Sequence, residues 1–109
     1  MRYMVHATEG PKFASSQEML NALETVVLPS LDALADLEAN GTIVGGGVPV
    51  GDRALAFVIE AESNDHLDRL LHDLPIWGML KWSVMPLEPF EARAEQERSF
   101  VEEAKSHKR

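Results

Sequence analysis

Ile43–Val58, IVGGGVPVGDRALAFV, is the stretch on which the fold turns. Three glycines following a β-branched pair resemble the start of a phosphate-cradling loop. Such a cradle needs its glycines between a strand and a helix, so that the helix N-terminus and free backbone amides meet the phosphate. Here the glycines lead into VPVGDR, which reads as a turn, and then into ALAFVIEA, a second β run. Neither a P-loop lysine nor an amphipathic helix follows. The stretch therefore predicts a β-hairpin, in which Gly45, Gly46 and Gly47 mark a bulge or let a backbone or a ligand come close.

Working outward, Tyr3–Thr8 (YMVHAT) alternates and is rich in strand formers, and the polar EGPK ends it as a turn. From Ser16 the period changes. Leu20, Leu23, Val27, Leu31, Leu34 and Leu37 recur at steps of three and four, the apolar stripe of one long helix. Ser15 or Ser16 can cap it, Asn40-Gly41 ends it, and Pro29 predicts a kink or two abutting helices. Downstream of the hairpin, Ser63 caps a second helix striped by Leu67, Leu70, Leu71 and Leu74, and Pro75 closes it. MLKWSVMPLEP reads as the last strand and FEARAEQERSFVEEAKSHKR as a charged C-terminal helix. The order β-α-β-β-α-β makes an α+β, ferredoxin-like sandwich over residues 1–90, an antiparallel sheet with both helices on one face, with a helical tail over 91–109.

In the third strand Leu55, Phe57 and Ile59 point one way and Ala54, Ala56 and Val58 the other, so both faces stay apolar until Glu60. Helices cover one face. A second copy of the sheet is the simplest cover for the other, which predicts a homodimer or a ring of dimers. The tail, through Phe100, Val101 and Ala104, either clasps a neighbour or stands solvated.

Composition narrows the function. The 109 residues suit one domain, and the absence of cysteine rules out thiol chemistry and disulfides. Eighteen acidic against ten basic residues give a net charge of -8, which repels nucleic acid and anionic lipid. No run approaches the ~20 apolar residues of a membrane span, and MRYMVHATEG lacks the apolar core of a signal peptide, so the expected compartment is the cytoplasm. His66 and His72 are six residues apart on a helix and so sit well apart around its axis, which leaves no metal pair.

Glu60–Pro89, EAESNDHLDRLLHDLPIWGMLKWSVMPLEP, is similar to the muconolactone isomerase family. The likeness lies in an acidic residue and ESND before a leucine-striped helix, LP followed by a bulky apolar pair, and a strand ending V-x-PL. It weakens across the first strand and long helix and is absent from the tail. The resemblance implies a dimeric α+β barrel joined through its sheets, with no metal or organic cofactor. It also implies a small-molecule ligand and proton transfer on an unsaturated lactone in aromatic catabolism. It places Trp77, in Leu74–Trp77, at the border of the ligand cavity. Members of that family tend to carry charged residues early in the long helix. Here Ala22–Leu31 (ALETVVLPSL) is apolar apart from Glu24, so polar catalytic residues from that helix do not transfer.

Lactone isomerisation needs a group titrating near neutrality that moves a proton next to a carbonyl, and something to steady the enolate. His6 is the best base, placed mid-strand at the centre of the sheet, where it is expected in a cavity or buried; Glu60 is the second catalytic candidate. Lys81, Trp82 and Ser83 offer a cation, a stacking face and a hydroxyl, with Lys81 and Ser83 on one face and Trp82 on the other. Tyr3 reads as core or pocket lining. Two other readings stand beside the isomerase: a cofactor-independent monooxygenase holding an electron-rich phenol in an apolar pocket, and a non-catalytic oligomeric ligand-binding module.

Overall fold

The computed structural model describes residues 1–10 and 12–107. Pro11, in the predicted turn, and residues 108–109 of the tail lie outside them. Four strands, β1 (Arg2–Thr8), β2 (Ile43–Gly47), β3 (Leu55–Glu60) and β4 (Lys81–Leu87), form an antiparallel sheet in the order β2-β3-β1-β4. The helices are α1 (Ser16–Ala22), α2 (Leu28–Ala39), α3 (Asn64–His72) and α4 (Phe90–His107). This is the predicted α+β sandwich, with β1 between β3 and β4. None of the helices is long and apolar enough to cross a membrane.

The core follows from strand alternation. Tyr3, Val5 and Ala7 of β1 and Leu55, Phe57 and Ile59 of β3 are buried on the helix side, joined by Leu67, Leu71 and Leu74. Arg2, Met4 and His6, which point the opposite way, are exposed. The open face thus carries Met4 opposite Met85 and Val58.

Of the two expected outcomes at the proline, the second holds: the run divides into α1 and α2, which abut through a π-helical turn. Between α1 and α2 the residues Leu23–Val27 make a π-helical turn, in which the Leu28 N–H bonds to the Leu23 carbonyl. Pro29 has no N–H to give the Thr25 carbonyl, and a widened turn just before it absorbs that missing bond while the helix runs on. Ser15 is the cap at the start, its Oγ accepting from the Glu18 N–H at 3.1 Å, and Ser63 caps α3 in the same way through His66. An Asp65–Arg69 pair forms at 3.0 Å, on the exposed side of α3.

The glycines do make a hairpin with a bulge, between Ile43 and Gly45. Gly46 has φ +140°, and a Cβ there would overlap the Ala56 carbonyl oxygen and the Phe57 backbone, whereas Gly45 and Gly47 face open space. Substitution of Gly46 by alanine is accordingly expected to cost about 2–4 kcal/mol in urea unfolding, from backbone strain plus overlap. Gly45→Ala and Gly47→Ala should stay within about 1 kcal/mol.

The joint into α4 is held by Glu88, which accepts hydrogen bonds from Arg93 Nε at 3.0 Å and Gln96 Nε2 at 3.2 Å. The Arg93 bond foremost, then the Gln96 bond, lowers the Glu88 pKa below its ordinary value. A carboxylate whose pKa is lowered on folding contributes stability above its unfolded pKa and loses it as pH falls through the folded value. In an NMR titration the Glu88 carboxyl should therefore protonate below the ordinary glutamate range, and its midpoint should rise in Arg93→Ala.

Candidate functional site

The residues singled out in the sequence separate onto the two sides of the sheet. His6 faces the open side and is exposed, not enclosed in a cavity, because no helix of its own chain covers that face. Register places it directly opposite Ser83 on β4 and Ala56 on β3, and pairs Thr8 with Lys81 one step along the same face. His6, Ser83 and Lys81 are thus neighbours. Glu60 shares the face but lies four residues along β3 from Ala56, about 13 Å away. It is engaged by Arg2, whose Nε and Nη2 both approach its Oε1 at 2.7 Å. The two catalytic candidates are therefore not brought together.

The aromatic candidates lie on the helix side. Tyr3 is 1% exposed and donates its hydroxyl to Asn64 Oδ1 at 2.6 Å, so it ties β1 to the start of α3. Trp77 lies between His72, 4.0 Å away between ring centroids, and Trp82, stacked at 5.1 Å. The Trp82 indole N–H donates to the Trp77 carbonyl at 2.9 Å. Both tryptophans serve to fix the segment between α3 and β4, and Trp77 borders an open groove there.

A cavity of about 210 Å³ lies elsewhere, between the long helix and one end of the hairpin. Its helix wall is Met19, Leu23, Val27 and Leu31, and Leu55, Ile76 and Leu80 line it from the other elements. Asp52 and Arg53 border it too, and both are exposed. The Arg53 guanidinium stands 5.8 Å from the centroid of the Phe13 ring, another lining residue. A smaller cleft of about 160 Å³ adjoins it and shares Leu31, Val48 and Leu55; Gly46 and Gly47 line that one.

These lining residues read in the sequence as a plain core stripe. The signal that they are more is that Met19, Leu23 and Leu31 remain about two-fifths exposed although they share the buried side of the helix run. The stripe is wider than the sheet beneath can fill, and the remainder is a hollow. The π turn supplies part of that wall and displaces the register of its side chains.

Ser30 sets the distance between the helix and the Ile76 wall. It is 1% exposed, donates to the Val26 carbonyl at 2.8 Å and accepts from the Ile76 N–H at 3.0 Å. Replacing it with alanine leaves the Ile76 amide buried without a partner, an expected loss of about 1–3 kcal/mol in thermal or urea unfolding. Ser30→Thr, which keeps the hydroxyl, should recover part of it.

Among solved structures, the chain resembles a crystal structure of muconolactone isomerase, with a TM-score of 0.66 and 19% identity over 82% of this chain and 90% of that one. It also resembles 5-chloro-2-hydroxyhydroquinone dehydrochlorinase from Burkholderia phenoliruptrix, solved with 2,5-dihydroxybenzoquinone, with a TM-score of 0.58 and 18% identity over 84% and 98% of the two chains. At these identities the likeness is one of fold. No curated protein matches the chain. The model of one family, described as muconolactone delta-isomerase, spans residues 1–93, and by that match the chain belongs to the muconolactone delta-isomerase family.

Proposed function

We propose that this chain is a cofactor-free catabolic enzyme that moves a proton on a small cyclic compound, bound in the cavity between the long helix and the hairpin. The observation that carries the reading is the cavity itself, apolar within and bordered by one cation and one carboxylate. An apolar cavity of ~150 Å³ is enough to hold benzene. A hollow of about 210 Å³ therefore suits a single ring with small substituents. The family's name carries a lactone, and the dehydrochlorinase was solved with a benzoquinone, single rings that support a ligand of this size.

The chemistry follows from where charge must appear. On an α,β-unsaturated lactone such as muconolactone, a base takes the proton from the ring carbon beyond the double bond, the electron pair moves through the double bond into the carbonyl as a dienolate, and a proton is delivered beside the carbonyl. Asp52 is the base in this reading and also delivers the proton, which it exchanges with solvent between the two steps because it is exposed. Arg53 meets the carbonyl oxygen or a ring carboxylate as negative charge develops there, an electrostatic role that gains strength beside an apolar wall. His6, with Ser83 opposite and Lys81 one step away, is the rival base. Its exposed face becomes a second site when a second copy of the sheet covers it, and the proposed assembly is such a homodimer in the cytoplasm.

A proton NMR time course with muconolactone in deuterated buffer separates these. Asp52→Asn should lower the rate by about 10²–10⁴-fold, the contribution of a positioned proton carrier, with His6→Ala close to wild type. Arg53→Gln should cost about 10²–10³-fold. The reverse pattern, loss in His6→Ala alone, would move the chemistry to the sheet face. No deuterium on the ring with any variant or with wild type would remove the isomerase reading. One observation would then favour oxygenation of a phenol in the same cavity without a cofactor, or binding alone: the helix wall of Met19, Leu23, Val27 and Leu31 carries no polar side chain.

A further inference from the structure

Beyond Pro89 the chain enters α4 and runs 18 residues without burying any of them. The molecule measures 73 Å along its longest axis against 27 and 24 Å across, and its radius of gyration of 19.2 Å exceeds the ~13 Å of a compact chain of this length. Phe90 is 95% exposed, Phe100 64% and Val101 52%. In proteins most helical stability comes from packing an apolar face. α4 has such a face. Phe90, Ala94, Val101 and Ala104 follow at steps of four, seven and three, which align them in one stripe bordered by Phe100. Arg98, which Glu95 of the same helix meets at 2.9 Å, and Lys105, each four residues beyond a stripe position, flank it on one side. Glu97 falls within the stripe and is met by Arg93 of the same helix at 3.9 Å.

The body of the protein carries a groove of complementary character. Between α3 and β4 lies an open hollow of about 490 Å³ with an apolar floor of Leu67, Leu71, Trp77, Val84 and Pro86. Val84 points to the helix side, opposite Val5 in register, yet remains 41% exposed because β4 is the sheet edge and no helix lies over it. Asp65 and Asp68 form the rim, exposed and on α3. No residue of α4 lines this groove in its own chain. The family model ends at residue 93, so the helix is an addition to the shared domain.

We propose that this groove seats α4 of a second copy of the chain, with the Phe90–Ala104 stripe on the apolar floor and Arg98 and Lys105 against Asp65 and Asp68. Both halves lie on this chain and neither is covered within it: an apolar floor with aspartates at its rim, and an apolar stripe with Arg98 and Lys105 along one flank; the exposed pairs Asp65–Arg69, Asp68–His72 and Glu95–Arg98 exchange partners at little cost. The docking needs no assumption about the cavity chemistry.

The absence of cysteine allows a direct test on the full chain. Asp68→Cys and Lys105→Cys proteins, both substituted at exposed positions, are mixed and treated with a short bis-maleimide. The mixed cross-linked dimer should exceed the share expected from random collision. Val101→Asp in the Lys105→Cys chain should cut that excess about tenfold. A random distribution of the three dimers, or an excess unmoved by Val101→Asp, overturns the proposal. So does rapid intramolecular linkage in a single chain carrying both cysteines at high dilution, since α4 would then reach its own groove.

Discussion

The structure depends on one constraint: a four-stranded sheet has two faces and the chain supplies helices for one. Alternation along β1 sends Tyr3, Val5 and Ala7 into the core and leaves Arg2, Met4 and His6 outside it. Because β1 is central, that division propagates through register to β3 and β4 and assigns a side to each candidate residue in the sheet. His6 and Ser83 are neighbours for this reason, and Tyr3 cannot join them. The same constraint leaves Met4, Val58 and Met85 as an apolar band without a cover of its own, which is the physical pressure toward assembly.

The covered side has the opposite problem, a helix with more apolar surface than the sheet beneath it absorbs. A straight α-helix from Ser16 to Ala39 would meet Pro29 with an unpaired Thr25 carbonyl and a ring clash. The π turn resolves this by inserting slack ahead of the proline, and Ser30 then secures the far half of the helix to Ile76. Helix and hairpin are thus held apart at one end, and the space between them is the cavity. A feature that reads as a packing compromise is what leaves the hollow open.

The fold was legible because its signals are local and periodic. Two strands around the glycines, a three-and-four stripe from Leu20 to Leu37, serine caps, and a proline after Leu74 each determine an element with little help from tertiary context. The triple glycine was legible by elimination, as a strand behind it excludes a phosphate loop, and Gly46 indeed lies where a side chain would strike β3. The site was much less legible. Mid-strand histidine points to function only if something covers it, and coverage is a property of the other face, or of another chain. Cavity walls of Leu23, Val27 and Leu31 have the same spacing as core, since a hollow and a filled interior differ in volume, not in pattern.

The apolar helix wall bears on chemistry as well. Polar groups along it would let a base work within the cavity; here the titratable lining groups, Asp52 and Arg53 with Glu38 in the adjoining cleft, are exposed. A ligand held there would have its ring body desolvated and its reacting edge turned outward, where the two charges meet it. Proton transfer under such conditions rests on orientation of the ring, because a fixed geometry removes the entropy of encounter. Specificity then rests on the fit of the ring against Leu23, Val27 and Leu31, where each methylene discriminates by only about 1–3 kcal/mol. If the hollow is a ligand site, it would admit a set of related single-ring compounds more readily than one partner alone.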